Sequence, residues 1–427
     1  MMTTGECIGS MGFSLLSDPS GKAQRAPSSV INEIEKIRRR FLWGGNEEQN
    51  KINWVAWKVV LGPRDKGGLG IGSMGSLNWA LLIKWVWRFK QEKTALWRSV
   101  VCGTHNLFRK PLTAFCKKSI PGVWQNITKT VEALEKLGVK LSSIFSFKVG
   151  SGSDTLFWFD WWTERGDLAS LFPRLLALDK RKYCFVDERL GHGNAGWKWK
   201  RKPKTREEIE ELDSLSDLVR IQQLSSTRDV LQSRLSSDGN FFVSNVENLI
   251  DSFATCPMQN NVIWSQLVSL KINCFLWSTC IGRIPTASAL SKRGVNIRDD
   301  SCKACSNGLD NVDHIFAGYD FAKEVLRKVW DWCSIPASHF NSINEIIVFA
   351  ASWGNCPKKQ KILLAIVYGY VWSLWRTRND RVFNNKVTAV SKVADDILLL
   401  VYNWIKNRGN FGDCNWLNWC CNLLNIV

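Results

Sequence analysis

The stretch Lys271–Trp330, KINCFLWSTCIGRIPTASALSKRGVNIRDDSCKACSNGLDNVDHIFAGYDFAKEVLRKVW, decides how the chain is read. Its ends carry apolar residues at helical spacing, and its middle carries Cys302, Cys305 and His314. Two thiolates at that separation sit on one tight turn and can share a tetrahedral metal, and a histidine from the next helix supplies a third ligand. Structural zinc takes four ligands, and no Cys or His follows at short range. Tyr319 stands five residues after His314, where a fourth ligand would fit, but tyrosine is a poor zinc ligand. Asp310, Asp313, Asp320 or Cys333 could substitute. Two readings stay open: a bound zinc, or a knuckle that no longer holds metal tightly.

Outward from that knuckle the pattern is almost wholly helical from Asn261 onward. The longest apolar run, Ile362–Trp375 (ILLAIVYGYVWSLW), has 14 residues between KKQK and RTR. A bilayer span needs about 20, so this run predicts a buried helix. Upstream, Pro27-Ser28-Ser29 opens a helix with Val30, Ile34, Ile37 and Phe41 at helical spacing, and Leu77–Val101 reads as one long helix. SFKVGSGSDTLFWFDWW (146–162) and SSDGNFFVSNV (236–246) read as β-hairpins. Between them WKWKRKPKTREEIEELDSL (197–215) reads as a linker. The expected fold is mainly α with small β-hairpins (α+β), its helical modules set around a short Cys/His knuckle. The expected divisions are a disordered terminus over 1–26, a helical region over 27–145, a hairpin and basic linker over 146–205, and a helix plus small hairpin over 206–260. The knuckle domain follows over 261–335, and a helical region over 336–427 closes the chain.

Charge adds a functional class. Among 427 residues, 57 Lys and Arg against 39 Asp and Glu leave a net charge of +18. An excess of that size favours a polyanionic partner and association that weakens with salt. Lys198, Lys200, Arg201, Lys202, Lys204 and Arg206 cluster beside Trp197 and Trp199. Such a segment can contact phosphates, stack bases on tryptophan or act as a nuclear-import address, and it can equally be a solvated linker anchored by its Trp pair. Trp85, Trp277 and Trp330 fall on apolar faces and are assigned to cores. The first 26 residues lack a secretory signal, so the 14 cysteines are expected as thiols or metal ligands in a nuclear or cytoplasmic protein. No membrane segment and no small-molecule site is evident.

Catalytic motifs gain no support. Gly67-Gly68-Leu69-Gly70 lacks the Gly-Lys-Ser/Thr ending of a P-loop, and the four His residues flank no nucleophile motif. Asp160 reads as structural. Asp395-Asp396 imitates a paired-aspartate metal strand, but Val390, Val393, Ile397, Leu400 and Trp404 recur at helical spacing and make the pair a solvated helix face.

The residues Phe275, Trp277, Arg283-Ile284-Pro285-Thr286, Leu290, Arg293-Gly294-Val295, Cys302, Cys305, His314, Phe316, Ala322 and Trp330 resemble the zinc-binding region at the C-terminal end of reverse transcriptases from plant non-LTR (LINE-type) retrotransposons. Pro27–Gly45, Asn53–Phe89, Phe147–Trp162 and Trp372–Phe383 are similar to other segments that follow the polymerase core in these elements. The departure is Tyr319, where the family usually carries its last Cys. The resemblance implies RNA or DNA as partner, zinc as cofactor and an RNA-directed DNA polymerase as the full-length relative. It also implies that fingers and palm precede the segment matched at Pro27, so this chain alone is expected to be inactive. The alternative expectation is a structural or interaction module that binds no nucleic acid.

Overall fold

The computed structural model describes residues 26–45, 51–105, 107, 122–190, 197–254, 262–305, 308–336, 338–409 and 416–421. The terminus expected to be disordered over 1–26 lies almost wholly outside them. The chain divides into two compact units, one centred on 57–257 and the other on 258–427 together with the short segment 52–56.

The first unit begins with α1 (Ser28–Trp43), α2 (Met74–Gln91), α3 (Leu96–His105) and α4 (Val123–Lys136). α1 forms where expected, but its apolar stripe stays exposed at Val30, Ile37 and Phe41. Polar contacts hold the helix instead. Glu35 accepts from the Met74 N–H at 2.7 Å and from the Trp57 indole at 2.9 Å. Arg38 donates to the carbonyls of Ile71 and Gly72 at 3.2 and 3.0 Å. The single helix expected over 77–101 is two helices, α2 and α3. The break lies at Glu92, whose carboxylate accepts from Arg88 and from the Trp97 indole, while Arg98 donates to the Phe89 and Lys93 carbonyls.

The sheet is as small as expected, but its pairing differs. β1 (Phe145–Lys148) runs antiparallel to β2 (Val230–Ser233), with Phe145 opposite Ser233 and Lys148 opposite Val230. Neither expected hairpin closes on itself. After β1 the chain wraps around the Asp229 carboxylate, which accepts from the N–H groups of Gly150, Gly152 and Asp154 and from the Thr155 hydroxyl, all at 2.8–3.0 Å. After β2, the second arm of the 236–246 hairpin is a helix, α6 (Val243–Ala254), whose apolar face buries Val246 and Ile250. Between the strands lies α5 (Arg206–Ile221), opened by a capping box between Thr205 and Glu208. An aromatic core fills this unit, with Phe157 and Trp158 fully buried beside Trp161 and Trp162.

The second unit is helical, as its sequence pattern anticipates: α7 (Leu270–Cys280), α8 (Ala287–Ser291), α9 (Asp320–Trp332), α10 (Ile343–Ser352), α11 (Pro357–Asn384), α12 (Val390–Arg408) and α13 (Trp416–Cys421). α11 contains the long apolar run and buries Ile362 to Val371 without a gap. It packs closely on α12 because Gly369 has no side chain; a Cβ there would lie 2.8 Å from Val401. No helix among the described residues is long and apolar enough to cross a membrane. Asp395 and Asp396 stand on the exposed face of α12, where Asp396 pairs with Lys392 at 2.9 Å.

Candidate metal centre

Cys302, Cys305 and His314 come together within the second unit, their ligand atoms all within 4.8 Å of one another. The local chain explains the convergence. A bridge between Ser301 and Leu309 closes the loop, the Cys302 N–H donates to Gly308 at 2.9 Å, and the Cys305 N–H turns back on Cys302 at 3.3 Å. Gly308 is required twice over: its φ is +77°, and a Cβ there would meet the His314 ring at 3.2 Å. His314 opens a π-helical turn, His314–Gly318, and its N–H donates to the Asn311 side chain at 2.9 Å. That geometry brings the His314 Nε2 to 3.2 Å from the Cys305 Sγ.

A π-helical turn is a rare, locally strained device that often marks a functional site. Here Tyr370 of α11 secures it. The fully buried phenol donates to the carbonyls of Phe316 at 2.7 Å and Ala322 at 3.1 Å, and burial pushes its pKa far above the usual phenol range. Asp310 secures the other side. Its carboxylate accepts from the Ala287 N–H at 2.7 Å and pairs with Arg378, joining the start of α8 to the end of α11. Nothing in the sequence pattern singled out Tyr370; its signal, shared with Tyr368, is a hydroxyl inside an apolar run, which demands a buried acceptor.

Burial lowers the pKa of His314 and keeps its imidazole neutral, the form that ligates metal. Burial and the neighbouring Cys305 raise that of Cys302, so without a cation this thiol holds its proton. The donor set is soft, two sulfurs and one nitrogen, and fits zinc at three positions. It does not fit at a fourth. The Tyr319 hydroxyl donates to the Ala304 carbonyl at 3.2 Å, and its ring stacks near His314 and Phe321. The other candidates are engaged elsewhere: Asp310 with Arg378, Asp313 accepting from the Ile343 N–H at 3.3 Å, Asp320 with Lys323 and Cys333 buried at the end of α9.

Residues 241–326 match the family described as zinc-binding in reverse transcriptase. Over these residues the chain is similar to the zinc-binding region of reverse transcriptases. The resemblance read from the sequence is borne out by this match and by two relatives. An Arabidopsis thaliana protein named as a ribonuclease H protein is 26% identical over 301 residues, which is 68% of this chain and 46% of the relative. An uncharacterized mitochondrial protein of Arabidopsis thaliana is 27% identical over 139 residues, covering 32% of this chain and 86% of the relative. The chain thus spans about half the length of the larger relative. No solved structure matches.

The basic segment lies within the first unit. Its backbone adds to the structure there, since Lys200 N–H donates to the Leu178 carbonyl at 2.8 Å and the Lys198 carbonyl accepts from Lys180 at 2.9 Å. Trp197 and Trp199 stack in parallel at 4.8 Å, and Trp197 packs against Phe157 and Trp158. Two of the six cations are internally paired. Arg201 grips Glu208 with two bonds of 2.8 and 2.7 Å, holding that carboxyl down to about 2, and Arg206 pairs with Glu210 at 2.9 Å. Lys200 reaches the Ala177 carbonyl at 3.0 Å, whereas Lys198, Lys202 and Lys204 are exposed and form no ion pair among the described residues.

Proposed function

We propose that this chain is the post-polymerase part of a reverse-transcriptase-type protein and that it engages RNA or DNA by sequence-independent phosphate contact. The observation that carries the reading is the convergence of Cys302, Cys305 and His314 inside the matched region. Zinc held by these three residues would crosslink the 302–314 loop to the helices around it, a structural task requiring no open catalytic position. Tyr319 leaves that site one protein ligand short, so it binds zinc weakly. The contacts to phosphate come from Lys198, Lys200, Arg201, Lys202, Lys204 and Arg206, with the lysines contributing most because both arginines already serve Glu208 and Glu210.

That internal pairing also favours the second reading, a structural or interaction module that binds no nucleic acid. Titrating single-stranded RNA against the protein across a salt series separates the two. Four lysine contacts predict a slope of log K against log salt of about −3 for a single strand. No binding even at low salt would overturn the proposal.

A further inference from the structure

Beside the knuckle, within the second unit, lies a cleft of about 60 Å³ lined on one side by Ala304 and Tyr319 and on the other by the end of α11 and the residues that follow it. Its polar lining has no acidic member: Tyr319, Thr377, Arg378, Arg381, Lys386 and Thr388. Space of that size takes roughly four water-sized groups, the number of oxygens on a tetrahedral oxyanion. Arg378 is nine-tenths buried and spends its terminal nitrogens on Asp310 and Asn379, yet its Nε is buried without a partner. Arg381 and Lys386 are exposed and form no ion pair among the described residues. Asp310 neutralises one of the three cations and leaves two in excess.

Two features hold the cations in place. α11 is capped by Asn385 in the left-handed region at φ 52°, and the Lys386 N–H folds back to the Asp380 carbonyl at 3.1 Å. That turn brings Lys386, Val387 and Thr388 into the cleft lining together with Arg381. The Arg378 guanidinium lies 5.2 Å over the Trp375 ring, which keeps its plane fixed. A helix C-terminus by itself repels anions. Here the turn caps it, and the excess charge of Arg381 and Lys386 outweighs the residual dipole.

We propose that this cleft is a phosphate-binding site, with Arg381 and Lys386 supplying the charge and the hydroxyls of Thr377 and Thr388, together with Arg378 Nε, orienting the oxygens. The phosphate belongs to a nucleic-acid backbone or to a free phosphate monoester. The first source rests on the function proposed above and gives the nucleic acid a second point of attachment; the second source does not depend on that function.

The test compares the full chain with Arg381→Gln/Lys386→Gln and, separately, with Lys198→Gln/Lys200→Gln/Lys202→Gln/Lys204→Gln. Each is titrated with inorganic phosphate, adenosine monophosphate and a single-stranded RNA decamer, after circular dichroism has verified the fold. Both cleft residues are exposed, and Thr388→Val provides a milder variant of the same site. If the cleft takes backbone phosphate, the Arg381/Lys386 variant binds the decamer about tenfold more weakly at low salt and its salt slope flattens by about 1.4, the equivalent of two single-strand contacts. Phosphate or monophosphate binding that disappears in this variant, with no decamer binding by any form, supports the cleft while removing the nucleic-acid function. Equal affinity of the unmodified chain and the cleft variant for all three probes overturns the inference, whatever the lysine variant does.

Discussion

The two units solve the same packing problem with different materials. In the second, helices α9 to α12 meet through uninterrupted aliphatic and aromatic faces, and the principal buried ion pair, Asp310–Arg378, borders the knuckle. In the first, irregular chain is held by buried and half-buried charge: Asp179 pairs with Arg189, Lys90 with Asp160 at 2.9 Å, and the half-buried Asp229 gathers four donors. Buried polar groups are costly unless fully partnered, so a unit built this way depends on specific polar contacts where the other depends on apolar volume.

The largest effect that would break this contrast lies in the helical unit. Trp330→Ala removes a side chain that is 1% exposed. It should cost about 3–5 kcal/mol in urea denaturation through the cavity it leaves. Asp229→Ala should cost nearly as much, about 3 kcal/mol, although it removes few atoms, because it strands the donors of Gly150, Gly152, Asp154 and Thr155. Burial pulls that carboxyl upward, but those bonds outweigh it and hold its pKa below the ordinary value. If Asp229→Ala were silent, the polar account of the first unit would fail.

A smaller effect sharpens the comparison through pH. Glu247 of α6 is pushed up to about 7 by burial and by Asp251, with Arg38 opposing. Its folded pKa exceeds the ordinary 4.5, so the folded state binds the extra proton and stability falls as pH rises from about 4.5 through about 7. Glu247→Gln should therefore raise the melting temperature by a few degrees at pH 8, about 1–2 kcal/mol after allowing for partial exposure, and change little at pH 4.5. Tyr370→Phe should cost about 1–2 kcal/mol by leaving the Phe316 carbonyl without its donor, and should loosen the turn that presents His314. The smallest effect belongs to Asp396→Asn on the exposed face of α12, whose melting temperature should match the unmodified protein.

What was legible in the sequence follows the same division. The helical unit was read correctly because apolar spacing alone determines it, as in Ile362–Trp375, and the spacing of Cys302, Cys305 and His314 foretold their convergence. The first unit was misread where a distant residue decides the local path. GSGSD after β1 looks like a hairpin turn, yet it is shaped by Asp229, far along the chain, and no short-range pattern reveals that carboxylate. Leu77–Val101 looks continuous because the break is made by side-chain bonds of Glu92 and Arg98 rather than by Gly or Pro. Residues 197–215 read as a linker because the basic charge at their start is visible while the packing of Trp197 on Phe157 is not.

The central claim is a metal knuckle short of one protein ligand, and elemental analysis of the purified protein after equilibration with a weak chelator tests it most directly. The account predicts less than one zinc per chain, rising to one in Tyr319→Cys with affinity increased at least about tenfold, since gaining a ligand should exceed the effect of an outer partner. Full zinc occupancy in the unmodified protein, or no gain in Tyr319→Cys, would contradict it.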